Sequence, residues 1–387
     1  MKSYNVDAPF DALIVGGGVI GLSLAWELAM KRAIIGDSWR IGVIDGAAIG
    51  RGASWAGAGI LPPAAKRTAH DPLDQLRARS HQLHPQWAQR LRDETGIDTG
   101  FQRCGGVYLA TTVAEAATLA ANRFWWDEHG IEYAAWDARE LVAHEPALAK
   151  FADRLLAAWF LPDECQLRNP RHLQALAVAC MQRGVELMPG RLMEHPLFDN
   201  QVVSGVAIRQ ADGASQVLSA KRVCVCAGAW ARQTLDKLGI RTGLMPVRGQ
   251  MMLYRASSQL LHRVINEGHR YLVPRDDGRI LAGSVEEEVG YVIETTNEAI
   301  SRIGGWAEGV LPQLRECEVE RQWAGLRPGS YDGYPYMGPV PGAENLFVAA
   351  GHFRSGLHLS CATAEIMAEV MQGETSSLDL YPFRVGR

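Results

Sequence analysis

The sequence predicts an α/β protein in which a doubly wound parallel sheet is interleaved with a second domain built on an antiparallel sheet. Three observations carry that expectation. A strand, a glycine-rich turn, a helix and a second strand succeed one another between Ala12 and Asp45. From Pro246 onward the pattern changes to short alternating or apolar runs separated by Gly and Asp turns. At about 150 residues per domain, a chain of 387 residues calls for two domains.

Composition narrows the class before any motif is read. Apolar residues make up 47% of the chain and charged residues 21%, which excludes a disordered or fibrous protein. The net charge is −4 with no long basic run, so there is no electrostatic footprint for nucleic acid or an acidic membrane surface. Seven sparse cysteines read as reduced thiols, and a cytoplasmic protein is expected. The stretch 12–30 is apolar enough to suggest a membrane span. It holds four glycines and Glu27, and Asp7 and Asp11 precede it, so neither a span nor a signal peptide is expected.

The N-terminal unit carries chemistry. Ala12–Val15 reads as a buried strand running into Gly16-Gly17-Gly18-Val19-Ile20-Gly21, after which Leu22, Ala25, Leu28 and Ala29 recur at helical spacing. Gly16 permits the tight turn, Gly18 lets backbone approach a pyrophosphate, and Gly21 lets helix and strand pack closely. The helix N-terminus at Val19 and Ile20 turns its amides and positive dipole end toward the phosphates. The second strand, over 41–44, ends at Asp45, placed to accept hydrogen bonds from an adenosine ribose. Asp45 lies 24 residues past Gly21, beyond the usual ~20, and a longer loop near 36–39 is expected to absorb the difference. The fingerprint alone does not choose between FAD and NAD. The tract 49–61 that follows is small-residue-rich with neither helical nor strand period, which suits backbone lying against a flat ligand.

The remaining elements follow from periodicity and turn signals. Helices are expected over 82–95, 114–129, 170–183, 297–309 and 356–372. Strands are expected over 106–110, 185–188, 251–254, 271–274 and 279–282, with a hairpin over 202–218 turning at Asp212-Gly213. An apolar strand over 222–230 carries Gly228 and Trp230 at its end. Cys224 and Cys226 read as alternation within that strand, not as a metal pair. No His, Cys or carboxylate set has ligand spacing, so no metal is expected. His352 reads as structural, and His358 as a helix-surface or packing residue.

Three later segments complete a family resemblance. They are Tyr271-Leu272-Val273-Pro274-Arg275, then Trp323-Ala324-Gly325-Leu326-Arg327-Pro328-Gly329 with Asp332-Gly333-Tyr334-Pro335, and Ala350-Gly351-His352-Phe353-Arg354-Ser355-Gly356. With the glycine turn and the segment 54–61, they make the chain resemble the D-amino-acid oxidase superfamily of FAD enzymes. The likeness is greatest to glycine oxidases of the thiamin-pathway type, from about Asp11 to Arg384. The resemblance implies a Rossmann-type FAD-binding domain over 1–80, 147–243 and 324–387, and a substrate domain over 81–146 and 244–323.

It also assigns residues. Arg51, Ser54, Gly57, Gly59 and Ile60 belong to the flavin-contacting tract. Backbone near Met193 holds the adenine, and Gly228 and Trp230 pass the dinucleotide. Arg354, Ser355, Gly356 and Leu357 lead into a last helix whose N-terminus faces the flavin pyrimidine. Relatives with covalent flavin attach it through a Cys in the segment matching 327–336; that segment has none here, so FAD is expected to be non-covalent.

A small amino acid must be held by its carboxylate, and a planar guanidinium does so bidentately. By resemblance Arg327, expected in a loop after Gly325, is that clamp. Tyr271 donates a second hydrogen bond, and Arg354 stands at the flavin and substrate boundary. The implied reaction is hydride transfer from Cα to the flavin with no side-chain base, then reoxidation by molecular oxygen to give hydrogen peroxide. The substrate class stays open among glycine, sarcosine and small D-amino acids. A quinone-linked D-amino-acid dehydrogenase and a non-catalytic FAD-binding protein stand as alternatives. No nucleic acid or membrane partner is expected, and the family implies a homo-oligomer. One departure is visible: counted from Tyr271 without gaps, Glu286 falls where glycine oxidases carry an apolar pocket residue. Either the chain shifts by one and Val285 lines the pocket, or an acid faces the substrate.

Overall fold

Among the described residues the strands form a nine-stranded, an eight-stranded and a two-stranded sheet. The computed structural model describes residues 8–37, 39–65 and 69–387. At the centre of the first sheet, Ala12–Val15 lies between Ile41–Asp45 and Val223–Val225. Glu186–Pro189 and Ala343–Ala350 flank these, and all five run parallel. Strand alternation explains why the first strand is apolar at every position. Ala12 and Ile14 enter a core shared with the helices Val19–Ile34, Pro72–Thr95, Asn169–Gln182 and Gly356–Met371. Leu13 and Val15 enter a second core with the strand Val202–Gln210 and the helix Ala231–Lys237. The apolar stretch 12–30 is thus a strand plus a buried helix. No helix among the described residues is long and apolar enough to cross a membrane.

The second sheet runs in the order Glu318–Gly329, Met245–Arg255, Arg279–Gly283, Arg270–Pro274, Val264–Glu267, Gly106–Ala110, Ala157–Leu161, Ala134–Trp136. Its neighbours are antiparallel except Val264–Glu267 against Gly106–Ala110, which are parallel. The amphipathic helix Asn297–Val310 packs one face against it through Ile303, Trp306 and Ala307.

Several elements depart from the sequence expectation. The helix expected over 82–95 begins at Pro72. Asp71 caps it by accepting from the amides of Leu73 and Asp74, and Pro85 sits inside it. It packs on the last helix, so residues 81–95 join the core beneath the parallel sheet. Arg191–Asp199 is an unexpected strand beside Val202–Gln210. Ala157–Leu161 and all of Glu318–Gly329 pair into the second sheet, so both boundaries drawn near 147 and 324 fall later. A strand's sheet is fixed by its register partner, which chain position does not reveal.

Candidate active site

The parallel strands all end at one edge, and the glycines cluster there. Gly16 has φ +113°, and a Cβ on it would lie 2.3 Å from the Cys226 carbonyl oxygen. A Cβ on Gly21 would lie 1.9 Å from the Gly16 oxygen, so only glycine lets helix and strand meet. At Gly18 the nearest atom is Ser54 Oγ, 3.2 Å from an added Cβ, and the turn is otherwise open. Val19 N donates to that Ser54 Oγ at 3.0 Å. The first helix, Val19–Ile34, has no acid in its first turn and no cap from Gly18. Asp45 accepts from Gly17 N (2.9 Å) and Ala47 N (2.8 Å) through different oxygens, so each keeps a lone pair for a ribose hydroxyl. The strand Arg191–Asp199 passes close by: a Cβ on Gly46 would touch Leu192, next to buried Met193.

The tract 49–61 is one helical turn, Ala53–Ala56, and a two-residue strand, Ile60–Leu61, paired with Cys165–Gln166. Its aperiodicity reflects what holds it. Asn169 Nδ2 donates to Ser54 O at 2.7 Å, Trp323 Nε1 to Ala56 O at 3.0 Å, and Arg275 Nη2 to Ala58 O at 2.6 Å. Gly57 and Gly59 leave room for Asn169, whose side chain a Cβ on either would meet. Arg51 is exposed, its guanidinium 5.6 Å over Trp55. Arg275 is buried, and desolvation pulls its pKa down to about 10. No sequence signal marks Asn169 and Arg275 for this role, because their partners lie more than a hundred residues away.

Gly228 opens a 3-10 turn, Gly228–Trp230, with φ +54°. Trp230 is partly exposed against Tyr291, ring centroids 5.8 Å apart. On the far side, Phe353 holds φ 46°, the left-handed region, at a cost of about 1–3 kcal/mol. That strained turn, Phe353–Ser355, carries Arg354 and delivers Gly356 and Leu357 into the last helix. The helix has neither a side-chain cap nor an acid in its first turn.

Arg327 lies in the strand Glu318–Gly329, not in a loop as expected: the apparent loop residues 325–329 pair with Met245–Gly249. Its guanidinium reaches over Gly249, where an added Cβ would come within 2.4 Å of it. Nη1 donates to Val285 O at 3.0 Å and Nη2 to Ser284 Oγ at 2.6 Å. Each Nη carries two hydrogens, so one on each remains for a carboxylate. Tyr271 is buried in Arg270–Pro274 and pairs across Gly283, whose bareness makes room for its ring. Its hydroxyl lies 3.4 Å from Met251 Sδ, which is a weak acceptor. Gly283 adjoins Ser284, so one segment brings the Tyr271 and Arg327 side chains together. Val285 is buried with the Trp306 core, while Glu286 is exposed and pairs with Arg354 at 2.9 Å. Of the two residues open for the pocket position, Val285 is turned into the core and Glu286 toward Arg354.

A buried acid beside Tyr108 escaped sequence reading. Glu164 accepts from Tyr108 Oη and from Asn266 Nδ2 (3.0 Å), and burial pushes its pKa up to about 7. Tyr108 also lines a cavity of about 250 Å³ with Trp125, Trp126, Ser355 and His358. His352 is structural as expected, buried 3.2 Å from Thr363 Oγ1. His358 is a packing residue, buried edge-on to His81. Among the described residues His81, Asp163 and Cys165 bring ligand-type atoms within 4.8 Å. Asp163 there also contacts Arg103 Nη2 at 2.5 Å and His81 Nε2 at 3.3 Å. Cys224 and Cys226 are free thiols.

A glycine cradle at the carboxyl edge of a parallel sheet, facing an antiparallel sheet that carries a guanidinium and a phenol, defines a dinucleotide-dependent oxidoreductase. The family model described as FAD dependent oxidoreductase matches residues 11–370, and the chain belongs to that family. FAD is its cofactor, and the residues present fit it: the turn is open at Gly18, and added side chains at Gly16, Gly21 and Gly59 would collide with backbone. The chain is 33% identical to a glycine oxidase of Pseudomonas aeruginosa, over 96% of this chain and 97% of that one. It is 30% identical to the bifunctional protein ThiO/ThiG of Synechocystis sp., over 96% of this chain and 53% of the relative. The crystal structure of glycine oxidase from Geobacillus kaustophilus superposes with TM-score 0.89 and 31% identity, covering 98% and 99% of the two chains.

Proposed function

We propose that the protein is an FAD-dependent oxidase of glycine or another small amino acid, with sarcosine and small D-amino acids in the same class. Oxygen is the electron acceptor and hydrogen peroxide a product. The observation that carries this reading is Arg327, a guanidinium fixed by Ser284 and Val285 with hydrogens left over, beside the buried Tyr271. The names of the relatives, glycine oxidase and ThiO/ThiG, support the substrate class and a role in thiazole formation for thiamin.

Bound FAD would supply the two-electron acceptor for the Cα–H bond, with oxygen as the final oxidant. The chain's own residues do the rest. Arg327 takes the substrate carboxylate bidentately and Tyr271 adds a third hydrogen bond, which orients Cα. The amine reacts in its neutral form. No buried carboxylate or imidazole is assigned as a base, because positioning and electrostatics suffice. The entry of the last helix, with no acid in its first turn, favours negative charge near it. FAD is held without a covalent bond.

Oxygen uptake with peroxide assay, on glycine, sarcosine, D-alanine and D-proline, tests the reading. Peroxide formed in step with oxygen uptake supports it. Flavin reduction by these amines with transfer only to a quinone would replace it with a dehydrogenase.

A further inference from the structure

Arg327 is anchored on Ser284 and Val285, and a second guanidinium, Arg354, meets the next residue, Glu286. Arg354 points to the open side, where its Nη1 lies 2.9 Å from Glu286 Oε1; the two side chains are 41% and 37% exposed. Glu286 directly follows Ser284 and Val285, the residues that anchor Arg327. A charged pair therefore sits one residue from the carboxylate clamp. Its geometry is fixed at both ends. The Phe353 turn sets the Arg354 backbone, and the Arg248–Glu287 pair, with Nε 2.9 Å from Oε2, pins the residue after Glu286. Arg354 also acts electrostatically on Tyr108 and His269, while Arg302 acts on His269. Glu286 is the acid paired with Arg354, while its neighbour Glu287 is taken by Arg248.

We infer that Arg354 is a latent second carboxylate-binding group masked by Glu286, so that the pocket accepts small uncharged side chains and refuses dicarboxylic amines. This deepens the function proposed above and rests on Arg327 as the first clamp. A second substrate carboxylate would have to displace Glu286 from Arg354 and then lie beside the displaced acid. Like charges at that separation repel, and discrimination comes from this repulsive element. With Glu286 neutralised, Arg354 offers a free fork to a second carboxylate.

The test uses FAD-bound protein and two unreactive probes, acetate and malonate, titrated by the flavin difference spectrum. In Glu286→Gln, malonate affinity relative to acetate is expected to rise at least about tenfold over the wild type. Glu286→Asp retains the wild-type ratio, and Glu286→Gln combined with Arg354→Met loses the gain. The same order is expected for kcat/KM on D-aspartate relative to D-alanine. A malonate-to-acetate ratio unchanged by Glu286→Gln, or a gain that survives Arg354→Met, overturns the inference. Failure of the wild type to bind acetate at all would instead contradict the carboxylate clamp.

Discussion

At the residue scale, the site residues are held by a mixture of backbone and side-chain partners. Arg327 lies across a strand at a glycine, and its two anchors are a carbonyl and a hydroxyl. Lysine has one compact charge and cannot hold those anchors and a carboxylate in one plane. Arg327→Lys should lower kcat/KM for the best small amino acid about 100-fold, mostly through KM, while FAD stays bound. Steady-state kinetics beside the flavin spectrum check this; an unaltered KM would remove Arg327 from the clamp. Arg327 and Tyr271 could be singled out from the sequence because each stands in a short motif. Asn169, Arg275 and Glu164 could not, since each takes its meaning from partners distant in the chain.

At the element scale, glycine decides where helices and strands meet. An alanine at position 21 would push its Cβ into the Gly16 oxygen, at the contact where the first helix leaves the first strand. Gly21→Ala is expected to destabilise the fold by about 1–3 kcal/mol and to purify poor in flavin; thermal melting and the ratio of visible to ultraviolet absorbance read both. Trp323→Phe removes the indole donor to Ala56 O and should cost about 1 kcal/mol. Element type was mostly legible from period and turn chemistry. The failures have physical causes. Arginines and aspartate between 72 and 81 hide a helix start that Asp71 caps, and Gly325 with Pro328 makes a strand look like a loop. Arg191–Asp199 carries Pro196 and few branched residues, so its pairing, not its propensity, makes it a strand.

At the scale of the whole molecule, the two sheets were legible and their boundaries were not, because pairing between strands far apart in sequence decides membership. The buried interior also sets a pH response. Burial lowers His84 to about 4 and His172 and His352 to about 3, and holds His358 well below its ordinary value. The unfolded chain takes up protons below about pH 6.5 that the folded chain refuses. Each such histidine therefore contributes stability that is present above pH 6.5 and is lost as pH falls, by about 1.4 kcal/mol per pH unit, until the folded group titrates. His172 is the cleanest probe, since neither ring nitrogen has a hydrogen-bond partner. In His172→Leu the fall of stability between pH 6.5 and 5 should be shallower by about one proton; an unchanged slope in denaturant melts would contradict this. Buried Glu164 acts in the opposite sense. Its stabilisation is complete below its ordinary pKa and disappears as pH rises through about 7.

In the proposed function, FAD bound at the parallel sheet oxidises an amino acid held by the antiparallel sheet. The most direct measurement is the visible spectrum of the FAD-bound protein without oxygen, before and after glycine, then sarcosine, D-alanine and D-proline. Oxidised-flavin bands should bleach with at least one of them and return on admitting air, and bleaching should weaken sharply in Arg327→Lys. Bands that none of these amines bleaches would leave the fold and cofactor standing and contradict the amino-acid assignment.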